Sequence, residues 1–302
     1  MSLLVVGSIG LDEVETPRAK RSDLLGGSAV YFSVAARFFS PVQIVGVVGD
    51  DFPAAHRQLL EQRGIDTRGL EVAKGKTFRW SGKYHANMVD RDTLRTDLNV
   101  FAEFDPKLPP EYRSADYVFL ANGLTALQLK VLDLLGRRPK FVAADTMDLW
   151  IRTTRPDLEK LLRRIDALVL NDSEARMLTG EHELLKAGRA IQKMGPLTVI
   201  LKKGEHGAML LSRDDCFILP AYPLEEVVDP TGAGDSFAGG IMGCLAASGD
   251  LSTDGLRRAL LYGTVAASFT CQGFSLDGLL NADREAVEAR CKAFRKMLRL
   301  PD

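Results

Sequence analysis

Apolar residues in this chain come in short, nearly unbroken runs separated by longer amphipathic stretches. The first run, LLVVG at 3–7, has no polar interruption and suits a strand covered on both faces, as in a parallel sheet. GGSAVYFSVAARFF (26–39) predicts a helix with Ala29, Phe32, Ser33 and Ala36 on one small-residue face. VQIVGVVG (42–49) predicts a second strand, and DDFPAAHRQLLEQRG (50–64) a second helix, opened by acids and stopped by Gly64. Residues 67–104 break this βαβα alternation. There TFRWSGKYHANMVD and LRTDLNVFAEF interleave β-branched and aromatic residues with polar ones, the pattern of antiparallel strands with one wet face. The alternation resumes at 116, with DYVFLAN, KFVAAD, ALVLN and LTVILKKG as strands and ALQLKVLDLLGRR and SEARMLTG among the helices. After 235 the chain turns mainly helical and ends in DREAVEARCKAFRKMLRL (283–300), whose basic positions read as a solvated face.

This alternation implies an α/β fold: one doubly wound, mostly parallel sheet flanked by helices, with a small β insertion. No repeat, low-complexity stretch or linker divides residues 1–302. Composition narrows the functional field. The 46% hydrophobic and 26% charged residues are ordinary for a soluble globular protein. A formal net charge of −1 gives no electrostatic footprint for nucleic acid or an anionic membrane. Cys216, Cys244, Cys271 and Cys291 form no CxxC pair, which fits reduced thiols in a cytoplasmic protein rather than a disulfide framework or a zinc site. The start, MSLLVVGSIG, lacks a basic leader region, and no uncharged apolar stretch approaches the roughly 20 residues that span a bilayer.

Three motif fragments fail on inspection. GKT at 75–77 resembles the tail of a P-loop, but position 70 is Leu70 where glycine is needed, and a β-like segment follows in place of a helix. Gly75 reads instead as a turn residue between strands. GSIG at 7–10 is not GxGxxG, so a dinucleotide site gains little. His56, His85, His182 and His206 are isolated and build no metal motif.

The run that carries chemistry is DPTGAGDSFAGGIM, at 229–242. Amides at the start of a helix are unpaired and the helix dipole adds about half a positive charge, so the glycine turn reads as an anion site with Asp235 on its rim. As a bare DxxGxGD, the same residues equally describe an N-cap aspartate after a turn. Position by position, the full run resembles the C-terminal signature of the ribokinase, or PfkB, family of carbohydrate kinases. Other stretches resemble the same family in the same order. NDSE (171–174) is similar to its NxxE, and KKGEHG (202–207) to its KxGxxG at Lys202, Gly204 and Gly207. Gly26 and Gly27 resemble the sugar-site double glycine, and Asp12 the substrate-binding acid. The segments 11–25 and 67–104 resemble the lid that closes over the sugar. Taken singly, Asn171 and Glu174 describe a capping box, Gly204 and Gly207 a hairpin turn, and Asp12 a loop acid.

The resemblance implies an ATP-dependent phosphotransferase acting on a hydroxyl of a sugar or related small polyol. In that reading Asp235 is the general base and the amides of Gly232, Ala233 and Gly234 form the anion hole. Thr231, Gly232 and Gly234 line the nucleotide site with Asn171, Glu174, Lys202, Gly204 and Gly207. ATP and Mg2+ are the implied cofactors, the magnesium held through water by Asn171 and Glu174. In potassium-activated relatives, the positions of Asp229 and Thr231 help hold K+. Asp145, ending the strand KFVAAD, is expected near phosphate, because strand-end polar residues face the ligand crevice of such sheets. The acceptor end departs from the pattern: Gly10 and Tyr31 stand where relatives often carry asparagines. Tyr31 then either stacks on a substrate face or fills space. A hexose, a nucleoside, a cyclitol or another polyol stays open as the substrate, and so does a vitamin-like aromatic alcohol. A non-catalytic sugar- or nucleotide-binding regulator is the reading from another class. Lids of this family often pair through their β edges, which implies a homodimer.

Overall fold

The computed structural model describes residues 1–213 and 215–299. The chain opens with β1 (Leu3–Val6), β2 (Gly10–Glu15), β3 (Lys20–Gly26), α1 (Ser28–Ala36), β4 (Val42–Gly49) and α2 (Ala54–Gln62). Then come β5 (Ile65–Ala73), β6 (Phe78–Tyr84) and β7 (Arg91–Asp97). The central part runs β8 (Tyr117–Leu120), α3 (Thr125–Leu134), β9 (Phe141–Asp145), α4 (Asp148–Thr153), α5 (Arg155–Leu162) and β10 (Ala167–Asn171). It continues with α6 (Asp172–Thr179), α7 (Leu184–Met194), β11 (Thr198–Lys202), β12 (Ala208–Ser212) and β13 (Asp215–Leu219). Four helices close the chain: α8 (Ala233–Ser248), α9 (Thr253–Thr270), α10 (Asp277–Leu280) and α11 (Arg284–Met297). The expected helix over 283–300 thus ends earlier, and Leu300 lies outside the described residues.

Nine strands form the main sheet in the order β13-β12-β11-β10-β9-β8-β1-β4-β5. It is parallel from β11 to β5, with β12 and β13 antiparallel at one edge. Side chains alternate across a strand, so the unbroken run of β1 feeds two cores. Leu3 and Val5 join residues of α1, α8 and α9 on one face, while Leu4 and Val6 join α3, α5 and α7 on the other. Phe32 of α1 stacks on Phe119 of β8 with ring centroids 4.5 Å apart. The sheet grows in both directions from β1, and this reversal opens a crevice at the carboxyl ends of the central strands. The glycines after Asp235 serve packing: a Cβ on Gly240 would come within 2.8 Å of the Gly263 Cα in α9, and one on Gly243 within 2.8 Å of the Ala36 carbonyl oxygen in α1.

A second sheet, in the order β3-β2-β6-β7, forms the lid. Two expectations about 67–104 need correction. Residues 65–73 are the parallel edge strand of the main sheet, paired with β4, and not part of the lid. Their sequence alternates like a lid strand because an edge strand is only partly covered, as its mixed burial records. The lid is also not antiparallel throughout, since β2 and β6 run parallel. Both leave the carboxyl edge of the main sheet, one after β1 and one after β5, and so travel outward in the same direction. The stretch at Asn99–Glu103 is a 3-10 turn. The GKT fragment is the crossing point between the sheets: Gly49 N donates to Thr77 Oγ1 (3.0 Å), and Thr77 Oγ1 donates to Asp51 Oδ1 (2.6 Å). Among the described residues, no helix is long and apolar enough to cross a membrane.

Candidate active site

Parallel strands deliver their carboxyl ends to one edge, so residues far apart in sequence converge there. Asp145 ends β9, Asn171 ends β10 and Lys202 ends β11. Opposite them α8 begins, with Gly232 in the left-handed region at φ 76° and Asp235 in the first turn. Asp12 arrives from β2, at the root of the lid.

Asp12 is buried, and the nearby Gly27 amide favours its ionised form against the effect of burial. Gly26 is glycine for a steric reason, because a Cβ there would overlap the Asp12 carboxylate. Burial, followed by the charges of Asp229 and Asp235, pushes the Asp12 carboxyl up to about 8. Asp235 is raised to about 7 by burial and the Asp145 charge, while the cations of Lys202 and Arg91 partly hold it down. Two carboxyl groups poised near neutrality thus share one crevice, a condition suited to proton transfer.

The glycine turn itself is braced from below. Asp229 is fully buried and accepts Thr231 N (2.9 Å) at one carboxylate oxygen and Ser275 N (3.0 Å) at the other. Burial raises its pKa against those two hydrogen bonds. Of the three amides expected in the anion hole, that of Ala233 donates to the Pro230 carbonyl (3.1 Å). Gly232 and Gly234 are therefore the better candidates to face an anion. Tyr31 is 1% exposed, and its ring packs beneath Gly232. It fills space under the loop and presents no open face to a substrate.

On the nucleotide side, Lys202 Nζ donates to Asp145 Oδ2 at 3.1 Å. Burial alone would lower the lysine, but the carboxylates of Asp145, Glu174 and Asp235 hold it above its ordinary value. The same ammonium lies 3.2 Å from where a Cβ on Gly234 would stand, so it reaches the mouth of α8. Asn171 and Glu174 form a complete capping box: Glu174 N donates to Asn171 Oδ1 (2.8 Å), and Asn171 N donates to Glu174 Oε2 (2.7 Å). Burial raises Glu174 to about 7, with Lys202 opposing. These hard oxygen donors are already engaged locally, which fits magnesium held through water better than direct coordination. Among the described residues, no group of three or more His, Cys, Asp or Glu side chains could hold a metal ion. Gly204 and Gly207 shape the β11–β12 hairpin, closed by Lys203 N donating to the Gly207 carbonyl (2.8 Å).

The lid adds residues that carried no motif. Thr231 Oγ1 donates to the Tyr84 hydroxyl (3.2 Å), joining the glycine turn to β6. Val14, Tyr84 and Phe274 form a small apolar cluster with Trp80 and Met88 packed against it. The Arg91 guanidinium lies 5.5 Å from the Trp80 ring centroid. The pairing of β6 with β2 and β7 brings Val14, Trp80, Tyr84 and Arg91 together, Phe274 joins them from the turn after α9, and no spacing in the sequence marks them.

The model of the family described as pfkB family carbohydrate kinase matches residues 13–280. The chain belongs to this family. A cytidine kinase of Thermococcus kodakarensis is 30% identical over 248 residues, covering 80% of this chain and 87% of that protein. A nucleoside kinase of Methanothermobacter thermautotrophicus is 28% identical over 261 residues, covering 82% and 81%. Among solved structures, an E. coli protein assigned as ribokinase II, in complex with ATP and Mg2+, superimposes with a TM-score of 0.80 at 20% identity, over 97% of this chain and 99% of that one. The ribokinase-like fold and the separate lid sheet expected for this pfkB-family chain are thereby both present.

Proposed function

We propose that this chain transfers the γ-phosphoryl group of ATP to a hydroxyl of a nucleoside. The observation that carries the kinase reading is the pair of buried, raised carboxyls of Asp12 and Asp235 at the mouth of α8. The two nucleoside-phosphorylating relatives, each matched over most of this chain, favour a nucleoside acceptor. The partly buried Trp80 ring in the lid is consistent with that choice, because an aromatic face can stack on a base.

In this mechanism Asp12 orients the acceptor by accepting a hydroxyl hydrogen bond. Asp235, ionised, takes the proton of the attacking hydroxyl. The acceptor oxygen bonds to the γ-phosphorus, the bond to the β-phosphate oxygen breaks, and ADP leaves. The amides of Gly232 and Gly234 with the helix dipole of α8 stabilise the phosphoryl oxygens, and the Lys202 ammonium adds charge beside them. Asn171 and Glu174 would hold magnesium through water, and the ion offsets the triphosphate charge when bound. Asp229, a buried carboxylate that accepts two backbone amide hydrogens, would gain from a monovalent cation, which supports K+ at Asp229 and Thr231.

The test is a panel of nucleosides, pentoses, hexoses and cyclitols with Mg-ATP, with and without potassium, read as ADP release. One or a few nucleosides should turn over, and Asp235→Asn should lower kcat by about 10²–10⁴-fold. Turnover with free sugars alone moves the acceptor to that class. Thermal shifts with ligand but no ADP from any member would leave a binding protein in place of a kinase.

A further inference from the structure

We infer that Tyr31 is a positioning residue for phosphoryl transfer, its ring forming the seat that holds Gly232 and the mouth of α8 in place. A Cβ built on Gly232 would fall onto the ring, among Cγ, Cδ1 and Cδ2, so the loop backbone rests directly on the aromatic face. The ring is fixed in turn by α1. Tyr31 N donates to the Gly27 carbonyl (3.2 Å), and residues 27 and 31, four apart, share one side of the helix. Gly26, the adjacent residue, lies against the Asp12 carboxylate, where a Cβ would overlap Oδ2. One helical turn therefore spans the distance from the acceptor-side acid to the loop that begins α8. The Tyr31 hydroxyl is buried beside Ser275 with no hydrogen bond of acceptable geometry. The contact with Gly232 is made by the ring and not by this hydroxyl. The loop has two other supports, Asp229 beneath Thr231 and Tyr84 from the lid, and the Tyr31 ring adds a third under Gly232 itself.

The inference rests on the proposed phosphotransfer for its kinetic part alone, and its structural part is read without turnover. Tyr31→Phe, Tyr31→Ala, Gly232→Ala and the double variant Tyr31→Ala/Gly232→Ala are compared with the parent by thermal unfolding without ligand. Gly232→Ala should be much more damaging in the parent than after Tyr31→Ala, because removing the ring makes room for the new methyl group. The left-handed φ of Gly232 strains alanine in both backgrounds, so the seat is read in the difference between them, and additive effects overturn it. In kinetics, Tyr31→Ala should lower kcat about 10–100-fold with KM for ATP within about three-fold, since a displaced loop misplaces the reacting groups. Tyr31→Phe should restore most of kcat. An unchanged kcat in Tyr31→Ala, or a loss confined to the acceptor KM, overturns the positioning role. If the parent turns over nothing on the panel, the kinase reading fails while the unfolding cycle still decides the seat.

Discussion

At the level of single residues, the site is a set of acids held near neutrality by burial. As the proposed base, Asp235 at about 7 must be ionised, so kcat/KM is expected to fall as pH drops below about 7. Lys202 is among the groups that hold Asp235 down, so Lys202→Met should move this acidic limb upward by about one unit, or about 1.4 kcal/mol of interaction. A pH–rate profile of the two proteins reads this directly, and an unmoved limb would exclude Lys202 as the counter-charge. The same shifts carry a stability consequence. Asp12 has a folded pKa of about 8 against an ordinary 3.8. Its contribution to stability is therefore complete below about pH 4 and is lost as pH rises through about 8. Asp12→Asn removes that loss and should raise the ligand-free Tm at pH 8 relative to the parent, with a smaller gain at pH 5, on a scale of about 2–4 °C per kcal/mol. An equal gain at both pH values would mean that charge is not the cause. Asp235 was identifiable in the sequence because glycines and a helix start surround it, and Asp12 only through its resemblance to the family's substrate-binding acid. Their shared field was not, since Asp12 reaches Asp235 only across the assembled crevice.

Between elements, the joints matter more than the pieces. The glycine turn meets the lid through one hydrogen bond, from Thr231 Oγ1 to the Tyr84 hydroxyl, and Ser275 Oγ donates to the Leu25 carbonyl (2.9 Å) at the base of β3. Tyr84→Phe should keep the fold and the apolar cluster but weaken closure over the acceptor. A lost bond of about 0.5–1.5 kcal/mol corresponds to a rise of about 2–10-fold in acceptor KM, with KM for ATP little changed. Steady-state kinetics with each substrate varied in turn distinguishes this from a general loss. The parallel strands were readable because their apolar runs are covered on both faces. The lid was harder to bound, because β5 at a sheet edge and β6 in the lid show similar alternation. Local pattern records how wet a strand is and says nothing of which sheet it joins.

Across the whole molecule, two sheets of unequal support carry one site. The nine-stranded sheet has a core on each face, whereas the lid sheet rests on a small cluster in which Val14 and Tyr84 meet Phe274 from the turn after α9. Amide exchange should therefore be faster in β7 and β3 than in β1, β8 and β9, and Mg-ATP with an acceptor should slow exchange in the lid most. Uniform slowing across both sheets would argue that the lid does not move separately on binding.

The sequence by itself determined the α/β alternation, the family, and the glycine turn with its acid at the start of α8, because each is written in a contiguous stretch whose physics is local. Tertiary structure alone decided the parallel joining of β2 to β6, the Asp145–Lys202 ion pair and the place of Tyr31. Each of these depends on which strand ends meet at the carboxyl edge of the sheet. Tyr31 shows the difference most clearly. Its aromatic character was visible at once, but whether the ring faced a substrate or the underside of Gly232 depended on how α1 and α8 pack together, and that packing joins segments about 200 residues apart.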